Sequence, residues 1–181
     1  MVDSSIIEKC RLGDFTNFRI LVSAASPYAF RIAFRMIGDE EQAKEIVQET
    51  MVVIWMKINR IKNPEVFKTW LYRIVINKCY DYLRKKKRCP EERMDDKAWK
   101  ILGEKLNTGN FDKLEQKESV LVINKLSEKL SSKQKAVFIL CDLEEMDNEE
   151  VGRITGMSVV NIKANLHFAR KRIREMLEKY L

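Results

Sequence analysis

Residues 64–88, PEVFKTWLYRIVINKCYDYLRKKKR, read as one helix with two working faces. Asn63 is suited to cap it, and Pro64 fits the first helical position, where its missing N–H leaves nothing unsatisfied. Phe67, Leu71, Ile74, Val75 and Tyr82 recur at helical steps and line an apolar seam. A second stripe at that spacing holds Trp70, Arg73, Asn77, Tyr80 and Arg84. Aromatic rings stack on unpaired bases, while amide and guanidinium groups hold bases and phosphates, so this stripe suits single-stranded nucleic acid. Consecutive cations from Arg84 to Arg88 end the helix. Trp70 and Tyr80 are equally compatible with a place in the core, and the basic run with a solvated end that complements the helix dipole.

The rest of the chain points to an all-α protein. Three prolines, six glycines and no sustained period-two alternation argue against a sheet. At 181 residues and 45% apolar content, the chain can build one domain or two small ones. Its net charge of +7 favours a polyanionic partner such as nucleic acid or an anionic membrane surface. No uninterrupted apolar run approaches the roughly 20 residues that span a bilayer. The start, MVDSSIIEKC, lacks the basic and apolar segments of a signal peptide. The expectation is a soluble intracellular protein with reduced thiols and no stable membrane insertion.

Chemistry of catalysis is hard to place. Cys10, Cys79, Cys89 and Cys141 form no C-x-x-C pair, and His167 is the single histidine, so no structural metal site is expected. Cys79 and Cys141 sit in helical patterns as small core residues. No Gly-rich phosphate loop and no nucleophile–base constellation occurs, so neither a cofactor nor an enzyme is expected.

Along the chain, residues 4–12 suggest a short helix ended by Gly13. Residues 15–24 and 28–37 suggest two more, separated by Ser26-Pro27 and closed by Gly38. Asp39 and Gln42 form a capping-box pattern for a helix from Glu40 to about Ile58. That helix buries Ala43, Val47, Ile54 and Ile58 and presents Glu41, Glu45, Gln48 and Glu49 on its other side. These acids suit either a solvated face near a helix N-terminus or a docking surface for a basic protein. After Cys89 the periodicity fades, and residues 91–114 read as a flexible linker between a domain at 1–90 and one at 115–181. Such a linker spans about 30 Å on average and about 85 Å when stretched.

The second domain begins with an amphipathic helix at residues 120–130, then one from Lys133 to Leu143 capped by Ser131 or Ser132. Asp147 and Glu150 cap a short helix holding Val151 and Ile154. Gly156 makes a turn, and Ser158 caps a last helix running to Glu178. Helix, glycine turn and helix make a helix-turn-helix, whose second helix enters the major groove. Val160, Asn161, Lys163, Ala164 and His167 would face bases there, with Arg170, Lys171, Arg172 and Arg174 further along and partly on phosphates.

With both modules in view, the chain resembles the sigma factors of bacterial RNA polymerase, specifically the compact extracytoplasmic-function class. Ala43 to Trp55, AKEIVQETMVVIW, is similar to the family's core-binding helix. FKTWLYRIVINKCYDYLR, residues 67–84, is similar to its strand-melting helix, and EEVGRITGMSVVNIKANLHFAR, residues 149–170, to its promoter-reading motif. The resemblance implies a transcription initiation factor that binds core RNA polymerase and promoter DNA. It implies that Glu45, Gln48 and Glu49 bind the polymerase. Arg73 and Asn77, with the loop bearing Asn59, Arg60, Lys62 and Asn63, would capture the minus-ten element beside Trp70, Tyr80 and Arg84. Ser158, Asn161, Lys163, Ala164, His167, Arg170 and Lys171 would serve the minus-thirty-five element. The chain departs from the family pattern at Val160-Asn161, Ala164-Asn165 and Phe168, which removes two cations and leaves Phe168 to pack against the preceding helices. The resemblance also implies a cytoplasmic protein restrained by an anti-sigma factor, which could hold it at the membrane, and no obligate homo-oligomer. The rival readings are a stand-alone helix-turn-helix regulator, which would leave the Trp70 stripe unexplained, and a basic protein acting at membrane surfaces.

Overall fold

A computed structural model describes residues 3–88, 125 and 130–178. The helices are α1 (Ser4–Arg11), α2 (Phe15–Ile37), α3 (Glu40–Lys57), α4 (Phe67–Arg88), α5 (Ser132–Phe138), α6 (Asn148–Thr155) and α7 (Val159–Leu177). No strand occurs among the described residues. The linker at 91–114 and the helix expected at 120–130 lie outside those residues, apart from residues 125 and 130.

Local chemistry sets most helix ends. Asp39 accepts from the Gln42 N–H at 3.0 Å and opens α3. Gly38 takes the left-handed conformation with φ 80° and closes α2, since only glycine enters that region without a Cβ penalty. Asn63 accepts from the Glu65 N–H at 2.9 Å, and Pro64–Val66 form a tight 3-10 turn that leads into α4. The expected break at Ser26-Pro27 does not occur, because α2 is one continuous helix with Pro27 inside it. Proline costs a helix interior one backbone hydrogen bond. Burial of Phe18, Leu21, Ala25, Ala29, Ile32, Ala33 and Met36 on both sides of it outweighs that loss. By length and composition α2 could cross a bilayer. Those same residues instead make it the central helix of the N-terminal bundle, packed on α1, α3 and α4.

In α4 the buried face is wider than the expected seam. Phe67, Leu71 and Val75 are buried as read, and Tyr72, Ile76 and Cys79 join them. The added face meets α6 and α5, so the apolar cores of the two modules are continuous. Burial pushes the Cys79 thiol up to about 12, which makes it an inert core residue.

Past α5, residues Ile139–Leu143 form a π turn. The Glu144 N–H donates to the Ile139 carbonyl and the Met146 N–H to the Leu140 carbonyl, both at 3.0 Å. This closure forces Glu145 to φ 53°, a conformation that costs a residue with a Cβ about 1–2 kcal/mol. Glu145→Gly is therefore expected to raise the melting temperature by about 2–4 °C, measured by circular dichroism. No change would mean that the Glu145 side chain makes good the strain.

Candidate nucleic-acid and partner interfaces

The acidic face of α3 is open to solvent. Glu45, Gln48 and Glu49 are exposed, while Ala43, Ile46, Val47 and Met51 of the same helix are buried. Glu49 pairs with Lys78 of α4 at 2.6 Å, and an open groove between α3 and α4 is lined by Glu45, Glu49, Lys78 and Tyr82. The sequence reading missed what continues this face. Val52 and Met56 follow Glu45, Gln48 and Glu49 at helical steps and are 58% and 70% exposed. Trp55 lies beside them, its ring 5.6 Å from Phe15 edge-on and 4.6 Å from Phe18. With exposed Phe15 they form an apolar patch at the end of the acidic strip. Large exposed apolar residues that cluster mark an interaction surface. The signal was present in the sequence, since Val52 and Met56 keep the spacing of the acids, yet only the fold brings Phe15 alongside.

The stripe on α4 divides by burial. Arg73, Asn77 and Arg84 are exposed, and Trp70 and Tyr80 are half-buried against the core. Trp70 meets Phe67 edge-on at 6.3 Å. Arg84 is tied to Asp81 at 2.5 Å. In the preceding turn Asn59, Arg60 and Lys62 are exposed, whereas the side-chain oxygen of Asn63 serves as the cap already described. The Tyr80 hydroxyl is buried with no hydrogen-bond partner among the described residues, and burial pushes its pKa up to about 12. An unsatisfied buried hydroxyl costs about 1–3 kcal/mol, so Tyr80→Phe is expected to raise the melting temperature by at least about 2 °C, measured by circular dichroism. An unchanged or lower melting temperature would show instead that the hydroxyl is satisfied.

The helix-turn-helix comprises α6 and α7. Asp147 accepts from the Glu150 N–H at 2.7 Å, and Gly156 turns the chain at φ 74°. Ser158 accepts from the Asn161 N–H at 3.3 Å, which occupies its hydroxyl as a cap. A Cβ on Gly152 would lie 3.1 Å from the Met157 carbonyl, so glycine there lets the turn pack closely on α6. Val151, Ile154 and Ile162 are buried between the helices. Val160, Asn161, Lys163, Ala164 and His167 are exposed on α7. A groove lined by Lys163, His167, Arg170, Lys171 and Arg174 runs along the helix. Arg170 is gripped from the side by Asp142, Nε at 2.9 Å and Nη2 at 2.6 Å, which limits its freedom to reach outward. Phe168 does not pack against the preceding helices. It is 57% exposed and meets His167 edge-on at 5.7 Å, because position 168 points away from the face that buries Ile162 and Ala169.

The chain matches the family model for sigma-70 region 2 over residues 21–89 and that for sigma-70 region 4 over residues 121–173, together more than half its length. It is 29% identical to RNA polymerase sigma factor SigV of Bacillus subtilis over 150 residues, covering 83% of this chain and 84% of that protein. It is 27% identical to the ECF RNA polymerase sigma factor SigW of the same organism over 178 residues, covering 94% of each. Among solved structures, CnrH in complex with the cytosolic domain of CnrY shares the fold with a TM-score of 0.70 at 22% identity, over 98% of this chain and 97% of that one. The sigma factor RpoE in complex with the anti-sigma factor NepR from Bartonella quintana does so with 0.65 at 21% identity, over 90% and 97%. Both regions, in order on one chain and on the expected helices, place this protein in the sigma-70 family of RNA polymerase sigma factors, in the extracytoplasmic-function class.

Proposed function

We propose that this chain is a transcription initiation factor that docks on core RNA polymerase through α3 and directs it to promoters through α4 and α7. The observation that carries this reading is the pairing, in one sigma-70 chain, of an exposed acidic strip on α3 with an exposed recognition helix on α7. Glu45, Gln48 and Glu49 supply charge for a basic partner surface, and Val52, Trp55 and Met56 supply the apolar contact beside it. Apolar anchors flanked by charge are the usual composition of a binding hot spot.

Lys163, Ala164 and His167 face the bases of the upstream element, with Lys171 on phosphates and the small Ala164 side chain allowing close approach. Asn161 joins them, whereas Ser158 acts through its cap and Arg170 through the grip of Asp142. On α4, Arg73 and Asn77 hold an unstacked base of the downstream element, and Trp70 offers the exposed part of its ring. Asn59, Arg60 and Lys62 flank that site, Arg84 extends it, and Asn63 shapes the turn. Each stacked base contributes about 1–3 kcal/mol, comparable to the few kcal/mol needed to extrude it, so trapping opens the duplex without turnover. Docking on polymerase raises the effective concentration of the second DNA contact once the first has formed. CnrH is seen in complex with the cytosolic domain of CnrY and RpoE in complex with the anti-sigma factor NepR, which supports an anti-sigma factor for this chain, acting in the cytoplasm.

The test is run-off transcription from a promoter pool with core polymerase, with and without the protein. Promoter-specific transcripts that need the protein are expected. Sequence-specific DNA binding without any effect on initiation would favour a stand-alone regulator.

A further inference from the structure

Along α7 an apolar stripe faces outward beside the cations. Val160, Ala164 and Phe168 follow one another at four-residue steps, and all three are exposed. Each such step advances the helix by about 40° beyond a full turn, so the three side chains share one side. Val160 is 76% and Phe168 57% exposed, while Ile162, Ala169 and Met176 make the core contacts of the same helix. Lys163, His167 and Lys171 form a second exposed stripe alongside. The His167 ring meets that of Phe168 edge-on at 5.7 Å and braces it on one side. Asn165 does not fill the other side, since its Nδ2 turns back to the Asn161 carbonyl at 2.7 Å. Exposed apolar residues scattered singly are ordinary on a protein surface. Three in line on a recognition helix, next to the groups that meet DNA, are not scattered.

We propose that Val160, Ala164 and Phe168 read the C5 methyl groups of thymines in the upstream element, with Phe168 as a specificity-determining residue. The promoter as target rests on the initiation-factor reading; the methyl chemistry rests on the stripe.

Thymine is the base that presents a methyl group in the major groove, and an apolar side chain reads it by contact. The same stripe set against guanine or cytosine leaves groove donors and acceptors stripped of water and unpaired, which disfavours those pairs. Attraction to one base and rejection of others are both needed for specificity. Lys163 and Lys171 hold phosphates or purine acceptors beside the stripe, and the small Ala164 lets its longer neighbours reach the base edges. From Val160 to Phe168 the helix rises about 12 Å. That is the length of about three to four base pairs, so the two residues meet different pairs.

Uracil pairs as thymine does and lacks only the methyl group, so promoters carrying uracil at single upstream-element positions test the proposal. Each template is titrated with the full chain and core polymerase in run-off transcription. Burying one methyl group is worth about fourfold in affinity. Wild-type protein should therefore need about fourfold more chain for half-maximal initiation wherever a contacted methyl is removed. Phe168→Ala should abolish that response at one position, and Val160→Ala at another about three to four base pairs away. Both residues are exposed, so circular dichroism should show unchanged helix content. An upstream element without thymine, a wild-type titration unshifted by uracil at every position, or a Phe168→Ala variant that responds throughout as wild type would each overturn the proposal. The same comparison on duplexes that the full chain selects from a random pool needs no polymerase. Thymine discrimination by Phe168 there, without promoter-specific transcription, would defeat the initiation reading and leave the methyl reading standing. Promoter-specific transcription indifferent to uracil would do the reverse.

Discussion

Replacing Glu45 and Glu49 together by lysine is expected to weaken binding to core RNA polymerase by at least about 100-fold while leaving the fold intact. Both side chains are exposed on α3, so neither substitution disturbs the helix face that buries Ile46 and Val47. Reversing two charges opposite a basic surface replaces attraction with repulsion, which costs several kcal/mol at an interface. A loss of about 100-fold requires only about 2.7 kcal/mol. The intramolecular cost is small, since the Glu49–Lys78 pair is partly solvated and such pairs contribute less than about 1 kcal/mol. Titration of labelled protein with core polymerase, alongside a thermal melt, measures both quantities. Undiminished binding in the double variant would remove the acidic strip as the docking determinant of α3. Ala substitutions at Val52 and Met56 would then be the next comparison, because that apolar patch could carry the contact without the acids.

The second large effect separates the modules. Ile162 is fully buried under α7 and packs close to Gly152 of α6. Ile162→Asp places an unpaired carboxylate in that seam and removes the apolar contact, at a cost of about 3–5 kcal/mol or more. A small helical module has little stability in reserve. The expected outcome is loss of upstream-element recognition in footprinting and a partial loss of helix signal. Polymerase binding through α3 should stay within about twofold of wild type, because α3 packs mainly on α2 and α4. Equal loss of polymerase binding would show that docking depends on the C-terminal module.

Much of this architecture could be read from the chain because its signals are local. Asp39, Asp147 and Ser158 each cap the helix that follows with a backbone partner three residues on, and Gly38 and Gly156 each end the helix before them. Those interactions are complete within one turn of chain, so residue type and spacing suffice to find them. The same holds for the alternation of acids and apolar residues on α3, which follows from the helical period alone.

Where the reading went wrong or stopped short, a distant partner decided. Pro27 interrupts nothing, since neighbouring helices bury α2 on both sides of it. Trp70 and Tyr80 share the spacing of Arg73 and Asn77, yet the fold half-buries the first two and exposes the second two. Phe168 looked free to pack inward, and its place on the turn of α7 leaves it in solvent. The ion pairs of Glu144 with Arg31 and Arg35 were invisible, because Glu144 lies 113 residues from Arg31 and 109 from Arg35, and no periodicity connects them. The sequence by itself determined the helices, their caps and the two kinds of working face, all of which depend on interactions within a turn or two. Only the tertiary structure decided which rings are covered, which apolar residues extend the acidic strip and which charges meet across the modules, because burial and long-range pairing belong to the packed chain and to no local stretch of it.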